Sequence, residues 1–537
     1  MDDYNISRTL GQSANQYPDR IGLTSKIGNR YQHHTFQQLE RMVNALCHGL
    51  HTQGVERNMR VMLMTRPSLE FVCLAFALFR MGAVVILIDP GMGYKNLRRC
   101  IGSVKPEILL GTPKALLFRN LSPGPFQTVR RTILIHPRIG FFPATTSKQA
   151  FEHPFSVVPS GPTDQAAIIF TTGSTGPPKG VCYEHGVFHA QLRFIRDYYK
   201  IGPEDIDQPA FPLFALFSTG LGARAVIPDM DPTRPARVNP EKFIRSINEF
   251  GVTYSFGSPA IWNVVSRYCL NHKIKLPTLK KVLMAGAPIP GDLIGRVRDI
   301  LPTDAEIHTP YGATECLPLT SITGSEIWTD TWSQTQTGRG TCVGQPLPGN
   351  KVRIIPASDK PIAEFKTDHT LATGEIGEII AQGPVATRQY DNNAHENRLA
   401  KIKDHPDFWH RMGDMGYLDD TGRLWVCGRK AHRVMTANGP LFTLCCEAIF
   451  NRHPAVFRSA LVGLGEPPAQ LPVIIVELAD PNVDHPALLR ELEKMAAANP
   501  LTSGIVHFLI HPAFPTDIRH NAKIFREKLS VWAARKI

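Results

Sequence analysis

The 537-residue sequence has no low-complexity tract and no internal repeat at a solenoid period, which excludes fibrous and array architectures. It also lacks a run of one charge sign. Lys and Arg number 59 against 47 Asp and Glu, a formal net charge of +12, yet the cations are spread along the chain. A basic stretch such as Lys273-Ile274-Lys275 with Lys280-Lys281 reads as a solvated edge, so no nucleic-acid partner is expected. Long hydrophobic runs are missing too. The most apolar stretch, Phe71 to Ile88, is broken by Arg80 and then Gly82. It predicts a buried helix followed by a buried strand, and no transmembrane segment is expected. The start Met1-Asp2-Asp3-Tyr4 is acidic, unlike a secretory leader. Ten cysteines fall at irregular spacing, and the only close pair, Cys445-Cys446, is adjacent, which is neither a zinc-ligand spacing nor a disulfide framework. Reduced thiols and a cytoplasmic location are the expectation.

What is present is an ordinary globular composition, 43% hydrophobic and 20% charged, at a length beyond what one core serves. At least two domains are therefore expected. Residues 35–54 carry a Thr cap, apolar residues at helical spacing and a Gly stop at Gly54. Strand 60–64, helix 69–81 and strand 83–88 then read as a βαβ unit. The alternation recurs in strands 107–110, 132–135 and 166–170, then in helix 241–249, strand 252–255, helix 259–270 and strand 281–284. Parallel-sheet units thus fill the first 310 residues. From about 340 to 428 the texture changes to short β pieces, 351–355 and 377–380, between Gly and Pro. The expected class is α/β. A large N-terminal domain, 1–428, combines parallel βαβ sheets with a small β-rich lobe. A small, mobile α+β domain, 429–537, follows, with helix 445–452, strands 458–464 and 472–478 and helix 485–498, and the boundary near 428–432 is the predicted hinge.

The loop Thr171-Thr172-Gly173-Ser174-Thr175-Gly176-Pro177-Pro178-Lys179-Gly180 follows the apolar strand Ile168-Ile169-Phe170. Glycines let backbone N–H groups converge on phosphate oxygens, while Ser, Thr and Lys donate directly. The spacing is not that of the common P-loop, since Gly180 rather than Ser or Thr follows Lys179.

With this loop the chain resembles the adenylate-forming superfamily of acyl-CoA synthetases, peptide-synthetase adenylation domains and firefly luciferase. The other motifs stand in that family's order over nearly the whole length. Tyr311-Gly312-Ala313-Thr314-Glu315 resembles the segment whose aromatic residue stacks on adenine, whose Thr meets the α-phosphate and whose Glu holds Mg²⁺. Gly286-Ala287-Pro288 resembles the segment bordering adenine, and Thr373-Gly374-Glu375-Ile376-Gly377-Glu378-Ile379 the lobe-forming β motif. Asp414, in Arg411-Met412-Gly413-Asp414, matches the acid that takes the ribose hydroxyls, and Arg429 the residue that assists it. Lys523, in Arg519-His520-Asn521-Ala522-Lys523-Ile524, sits where the family places its mobile catalytic lysine. ATP and Mg²⁺ are the cofactors this resemblance implies. Taken singly, each residue has a plainer role: Tyr311 as a core aromatic, Glu315 and Asp414 as surface acids or caps, Lys523 as a solvated cation.

Within the superfamily, Phe211-Pro212-Leu213-Phe214-Ala215-Leu216-Phe217, Val226 to Ala236, Ile88 to Gly93 and the ending Arg519 to Leu529 are similar to the β-lactone synthetases of long-chain olefin biosynthesis. The resemblance implies a 2-alkyl-3-hydroxy fatty acid whose adenylated carboxyl is attacked by its own β-hydroxyl, and assembly with other enzymes of that pathway. Phe214 and Phe217 are candidates for an alkyl channel or for the core, and His185 is a candidate general base or a structural histidine. Ala431-His432 follow Lys430, and Asn521-Ala522 precede Lys523, where acyl-CoA ligases commonly have an acidic or Lys hinge and Ser-Gly. Both departures are compatible with an enzyme that does not use CoA. The alternatives are a long-chain fatty acyl-CoA synthetase and a non-catalytic scaffold of the same pathway.

Overall fold

The structure is a computed structural model that describes residues 3–28, 30–135, 153–170, 176–211, 213–516 and 523–537. Arg60–Met64, the helix Leu69–Arg80 and Val84–Leu87 form the expected parallel crossover. They belong to a six-stranded sheet in the order Arg131–Leu134, Ile108–Gly111, Arg60–Met64, Val84–Leu87, Gln165–Phe170 and Gly180–Glu184. Only the last pair is antiparallel. A nine-stranded sheet lies beside it. Its centre, from Glu306–Ala313 through Lys281–Met284, Tyr254–Gly257, Ile206–Asp207 and Arg224–Val226 to Ile21–Ile27, is parallel, and both edges are antiparallel.

The Leu69–Arg80 helix touches Val84–Leu87 of one sheet and Ile21–Ile27 of the other, which is why all its residues are buried. Burying Arg80 among them requires a partner. Glu40 receives two of its hydrogen bonds, at 2.7 and 2.8 Å, and Asn44 a third at 2.6 Å. Both acceptors stand on the neighbouring helix Phe36–Thr52. That helix starts at the expected cap, where Thr35 Oγ1 accepts from Gln38 N at 3.2 Å and Gln38 Oε1 accepts from Thr35 N at 3.0 Å.

The β-rich lobe is an antiparallel sheet of Thr341–Cys342, Leu424–Arg429, Asp407–Leu418, Gly377–Gln382 and Lys351–Ile355, with Lys401–Asp404 paired to Asp407–Leu418. After it come the hairpin Val434–Thr436 and Gly439–Leu441 and a three-stranded sheet of Val456–Leu464, Leu471–Leu478 and His507–Ile510. Helices Thr443–Phe450, His485–Ala497 and Arg526–Ala533 cover that sheet, and its two apolar clusters contain only residues from Val434 onward. Where the sequence reading and the structure differ, the shift is small: the strand expected at 252–255 is Tyr254–Gly257, and the helix expected at 445–452 is Thr443–Phe450. All ten cysteines are buried and none is in a disulfide. Among the described residues no helix is long and apolar enough to cross a membrane.

Candidate active site

The carboxyl ends of parallel strands are where an α/β sheet opens a crevice for ligands, and the expected nucleotide residues gather there. Lys281–Met284 runs into Gly286-Ala287-Pro288, and its parallel neighbour Glu306–Ala313 runs into Tyr311 to Glu315. Gly286 has φ +102°, a conformation that only glycine adopts without strain. At Gly312 a Cβ would lie 2.3 Å from the Cys316 carbonyl oxygen, so the close turn back into Cys316–Thr323 also demands glycine. Thr314 and Glu315 form the two-residue connection between the paired Ala313 and Cys316. Their backbone is held from outside the turn. Tyr183 Oη donates to the Thr314 carbonyl at 2.6 Å, and Thr387 donates to the Glu315 carbonyl from its backbone N at 2.8 Å and from Oγ1 at 3.2 Å.

Asp414 and Arg429 face each other across adjacent strands of the lobe. Arg429 Nε lies 3.3 Å from Asp414 Oδ1, and Tyr311 Oη donates to Asp414 Oδ2 at 2.7 Å. The aspartate raises the arginine's pKa against the opposing effect of burial, so the guanidinium stays charged. Burial and the same aspartate push the Tyr311 phenol upward, keeping it a neutral donor. An aromatic face, a carboxylate and a guanidinium therefore converge from two sheets. Such a group can grip an adenosine by its base and its ribose hydroxyls.

The chain leaves Gln165–Phe170 and returns as the antiparallel strand Gly180–Glu184, so the candidate phosphate loop joins a hairpin and not a strand to a helix as in the common P-loop. Thr171, Thr172, Gly173, Ser174 and Thr175 lie outside the described residues. Gly176 is exposed at the end of the loop. Lys179 pairs with Glu396 and sits 5.2 Å from the Tyr390 ring centroid. Tyr390 Oη in turn donates to Glu315 Oε1 at 2.7 Å.

Tyr390, Glu396 and Thr387 carry no local sequence signal. Thr387 and Tyr390 stand on the irregular stretch after Gly377–Gln382 and Glu396 in the first turn of the short helix Ala394–Ala400, and only the three-dimensional contacts reveal them. Lys401 is a further one. Its Nζ donates to the Thr387 carbonyl, and burial pushes its pKa down to about 8, opposed by the nearby Glu315 carboxylate.

Lys523 stands on the C-terminal domain, just before the bridge between Thr516 and Ile524 and the helix Arg526–Ala533. Arg526 binds both oxygens of Glu447 at 2.8 Å. His432 is pushed down to about 3 by burial and by the positive charges of Arg526 and Arg429. The segment after Lys523 therefore reaches the junction near Arg429.

Two candidates require correction. His185 is 1% exposed, its Nδ1 accepts from Ile6 N at 3.2 Å, and burial pushes it down to about 4. An imidazole in the core with its basic nitrogen already engaged is a structural histidine and not a general base. Phe217 is likewise buried, packed 6.2 Å from Phe188 between ring centroids, and belongs to the core. Phe214 differs. It is only partly buried and stacks at 3.7 Å on Phe256, on the strand next to the one leading into Gly286.

Known proteins resemble the chain in sequence and in fold. Two olefin beta-lactone synthetases, from Stenotrophomonas maltophilia and Xanthomonas campestris pv. campestris, are 43% and 42% identical to the chain, each over 99% of it and 98% of their own length. A long-chain-fatty-acid–CoA ligase from Thermus thermophilus is 24% identical over 81% of the chain and 78% of its own length. The fold is shared with ATP-bound MatB from Rhodopseudomonas palustris, at TM-score 0.78 and 17% identity over 98% of this chain and 99% of that one. Amide bond synthetase McbA from Marinactinospora thermotolerans shares it at TM-score 0.79, with 18% identity and the same coverage. The sequence profile described as AMP-binding enzyme matches residues 10–391, and the chain belongs to that family.

Proposed function

We propose that the chain is an AMP-forming ligase that adenylates a 2-alkyl-3-hydroxy fatty acid and then closes it to a β-lactone. The observation that carries this reading is the near-full-length identity to two olefin beta-lactone synthetases, joined to the Tyr311, Asp414 and Arg429 cluster. In the first step the substrate carboxylate attacks the α-phosphorus of ATP and pyrophosphate departs. Tyr311 with Gly286-Ala287-Pro288 borders the adenine, Asp414 takes the ribose hydroxyls, and Arg429 orients Asp414 by pairing with it. Thr314 meets the α-phosphate, while Lys179 and the hydroxyl-rich loop Thr171 to Gly176 hold the departing pyrophosphate in line, mainly by positioning. Lys523 arrives with the C-terminal domain and neutralises charge as the two anions meet.

Mg²⁺ belongs to the same reading. A hard cation that keeps waters and phosphate oxygens needs only one or two protein carboxylates, and Glu315 beside the phosphate lysine supplies one. When bound, it supplies electrostatic neutralisation of the phosphates.

In the second step the substrate's β-hydroxyl oxygen bonds to the acyl carbon, the acyl–phosphate bond breaks, AMP leaves and the hydroxyl proton passes to solvent. Ring strain is offset by the mixed anhydride and by the proximity of the attacking oxygen. Phe214 and Phe256 line the start of the alkyl site. A cytoplasmic location, and assembly with the enzymes that make the hydroxy acid and consume the lactone, complete the proposal.

Incubation with ATP, Mg²⁺ and a 2-alkyl-3-hydroxy fatty acid in the absence of CoA tests it by mass spectrometry. Accumulation of β-lactone with stoichiometric AMP is expected. Strict dependence on CoA with a thioester product would sink lactone closure and leave a fatty acyl-CoA synthetase.

A further inference from the structure

The phosphate loop and Glu315 belong to different sheets, and one residue outside both motifs touches each of them. The Tyr390 hydroxyl donates to Glu315 Oε1 at 2.7 Å, and the face of its ring lies 5.2 Å from Lys179 Nζ. The residue is 5% exposed and held by its backbone on every side. Tyr390 pairs as an isolated bridge with Val181, Cys182 N donates to the Gln389 carbonyl at 3.0 Å, and Asp391 N donates to the Gly180 carbonyl at 2.7 Å. On the opposite side Ala386 bridges Cys316, the residue after Glu315. Asn397 closes on both backbone groups of Tyr390, its Oδ1 accepting at 2.7 Å and its Nδ2 donating at 3.2 Å. Arg60 clamps the neighbouring Asp391 with two hydrogen bonds, at 2.7 and 3.0 Å. The segment 386–391 is thus an extended strap laid across the exit of the phosphate loop and the turn that carries Glu315.

We infer that Tyr390 is a positioning residue that couples the cation site to the phosphate site. Its hydroxyl fixes the Glu315 carboxylate by occupying Oε1, which leaves Oε2 as the oxygen for a cation. Its ring supports the Lys179 ammonium by a cation–π contact and keeps it beside the phosphates. Two functions of one side chain are therefore separable by substitution. The inference rests on Glu315 as the cation ligand in the reading above.

The test is binding of a non-hydrolysable ATP analogue by titration calorimetry, with and without Mn²⁺, together with direct Mn²⁺ binding by electron paramagnetic resonance. The quantity read is the factor by which Mn²⁺ tightens nucleotide binding. Tyr390→Phe removes the hydroxyl alone. It is expected to keep metal-free nucleotide affinity within about twofold of wild type and to lower the Mn²⁺ factor about tenfold, as loss of a charge-assisted hydrogen bond predicts. Tyr390→Leu also removes the ring, and metal-free affinity is expected to fall about threefold besides. An unchanged Mn²⁺ factor in Tyr390→Phe overturns the inference, as does an equal loss of affinity with and without metal. Glu315→Gln tells the two readings apart. If Mn²⁺ still tightens binding in that variant, the assignment of Glu315 itself fails; if the factor vanishes there but survives in Tyr390→Phe, only the role of Tyr390 falls.

Discussion

Tyr311, Asp414 and Arg429 stand on strands whose sheets share apolar clusters, Ile307 with Met415 and Tyr417 in one and Cys316 with Met412 in another. Lys523 stands in a domain whose own clusters contain only residues from Val434 onward and whose helix Thr443–Phe450 contributes Cys445 to the larger domain's core. The proposed nucleoside grip is therefore held by the same packing that holds the large domain together. Lys523 stands outside that packing, on the C-terminal domain. In the proposed mechanism charge neutralisation is needed only as the carboxylate reaches the α-phosphorus, a step that substrate entry must precede, which suits a lysine carried on a separate domain.

The sharpest way to break this contrast is Lys523→Ala. Pyrophosphate release is expected to fall by about three orders of magnitude or more, with ATP affinity and melting temperature near wild type, because only transition-state charge stabilisation is lost. Release at the wild-type rate would remove Lys523 from the mechanism. Asp414→Asn tests the preformed side. It leaves Arg429 without its counter-charge and the ribose without a carboxylate, so KM for ATP is expected to rise about tenfold with kcat changed by less than about threefold. A loss confined to kcat would instead place Asp414 in the chemical step.

The smallest effect on rate is expected at His185. Substitution of a general base costs roughly 10²- to 10⁴-fold, whereas His185→Gln is expected to leave the lactone-forming rate within about twofold. Its signature is in stability. The folded protein holds this imidazole at about 4, below its ordinary 6.5, so between these values the unfolded chain binds the extra proton. The contribution is complete above pH 6.5 and is lost as pH falls toward 4, by about 3 kcal/mol at most. Denaturant melts across that window should show a shallower pH dependence in the variant than in wild type.

The corrections at His185 and Phe217 and the missed Tyr390 share one cause. His185 follows the phosphate loop closely in sequence, but the chain returns through Gly180–Glu184, and the first turn of helix His185–Arg193 points the imidazole into the core. Phe214 and Phe217 are three residues apart on one short helix, yet only Phe214 is left partly uncovered. Proximity along the chain carried no information about which surface each side chain meets. Tyr390 lies in a stretch without periodicity or a glycine signature, so nothing local distinguishes it from a loop residue. Its function exists only through Val181, Glu315 and Lys179, which are remote in sequence.

Residue type and short-range pattern alone determined the βαβ alternation and the Thr35 cap. These depend on local backbone requirements that a dozen residues can express. The tertiary structure decided which side chains share a surface: the convergence of Tyr311 on Asp414 and Arg429, the burial of His185 and the strap that joins Glu315 to Lys179. Those outcomes depend on how separate sheets pack, and burial and hydrogen-bond partners are set between distant segments, where no local pattern can record them.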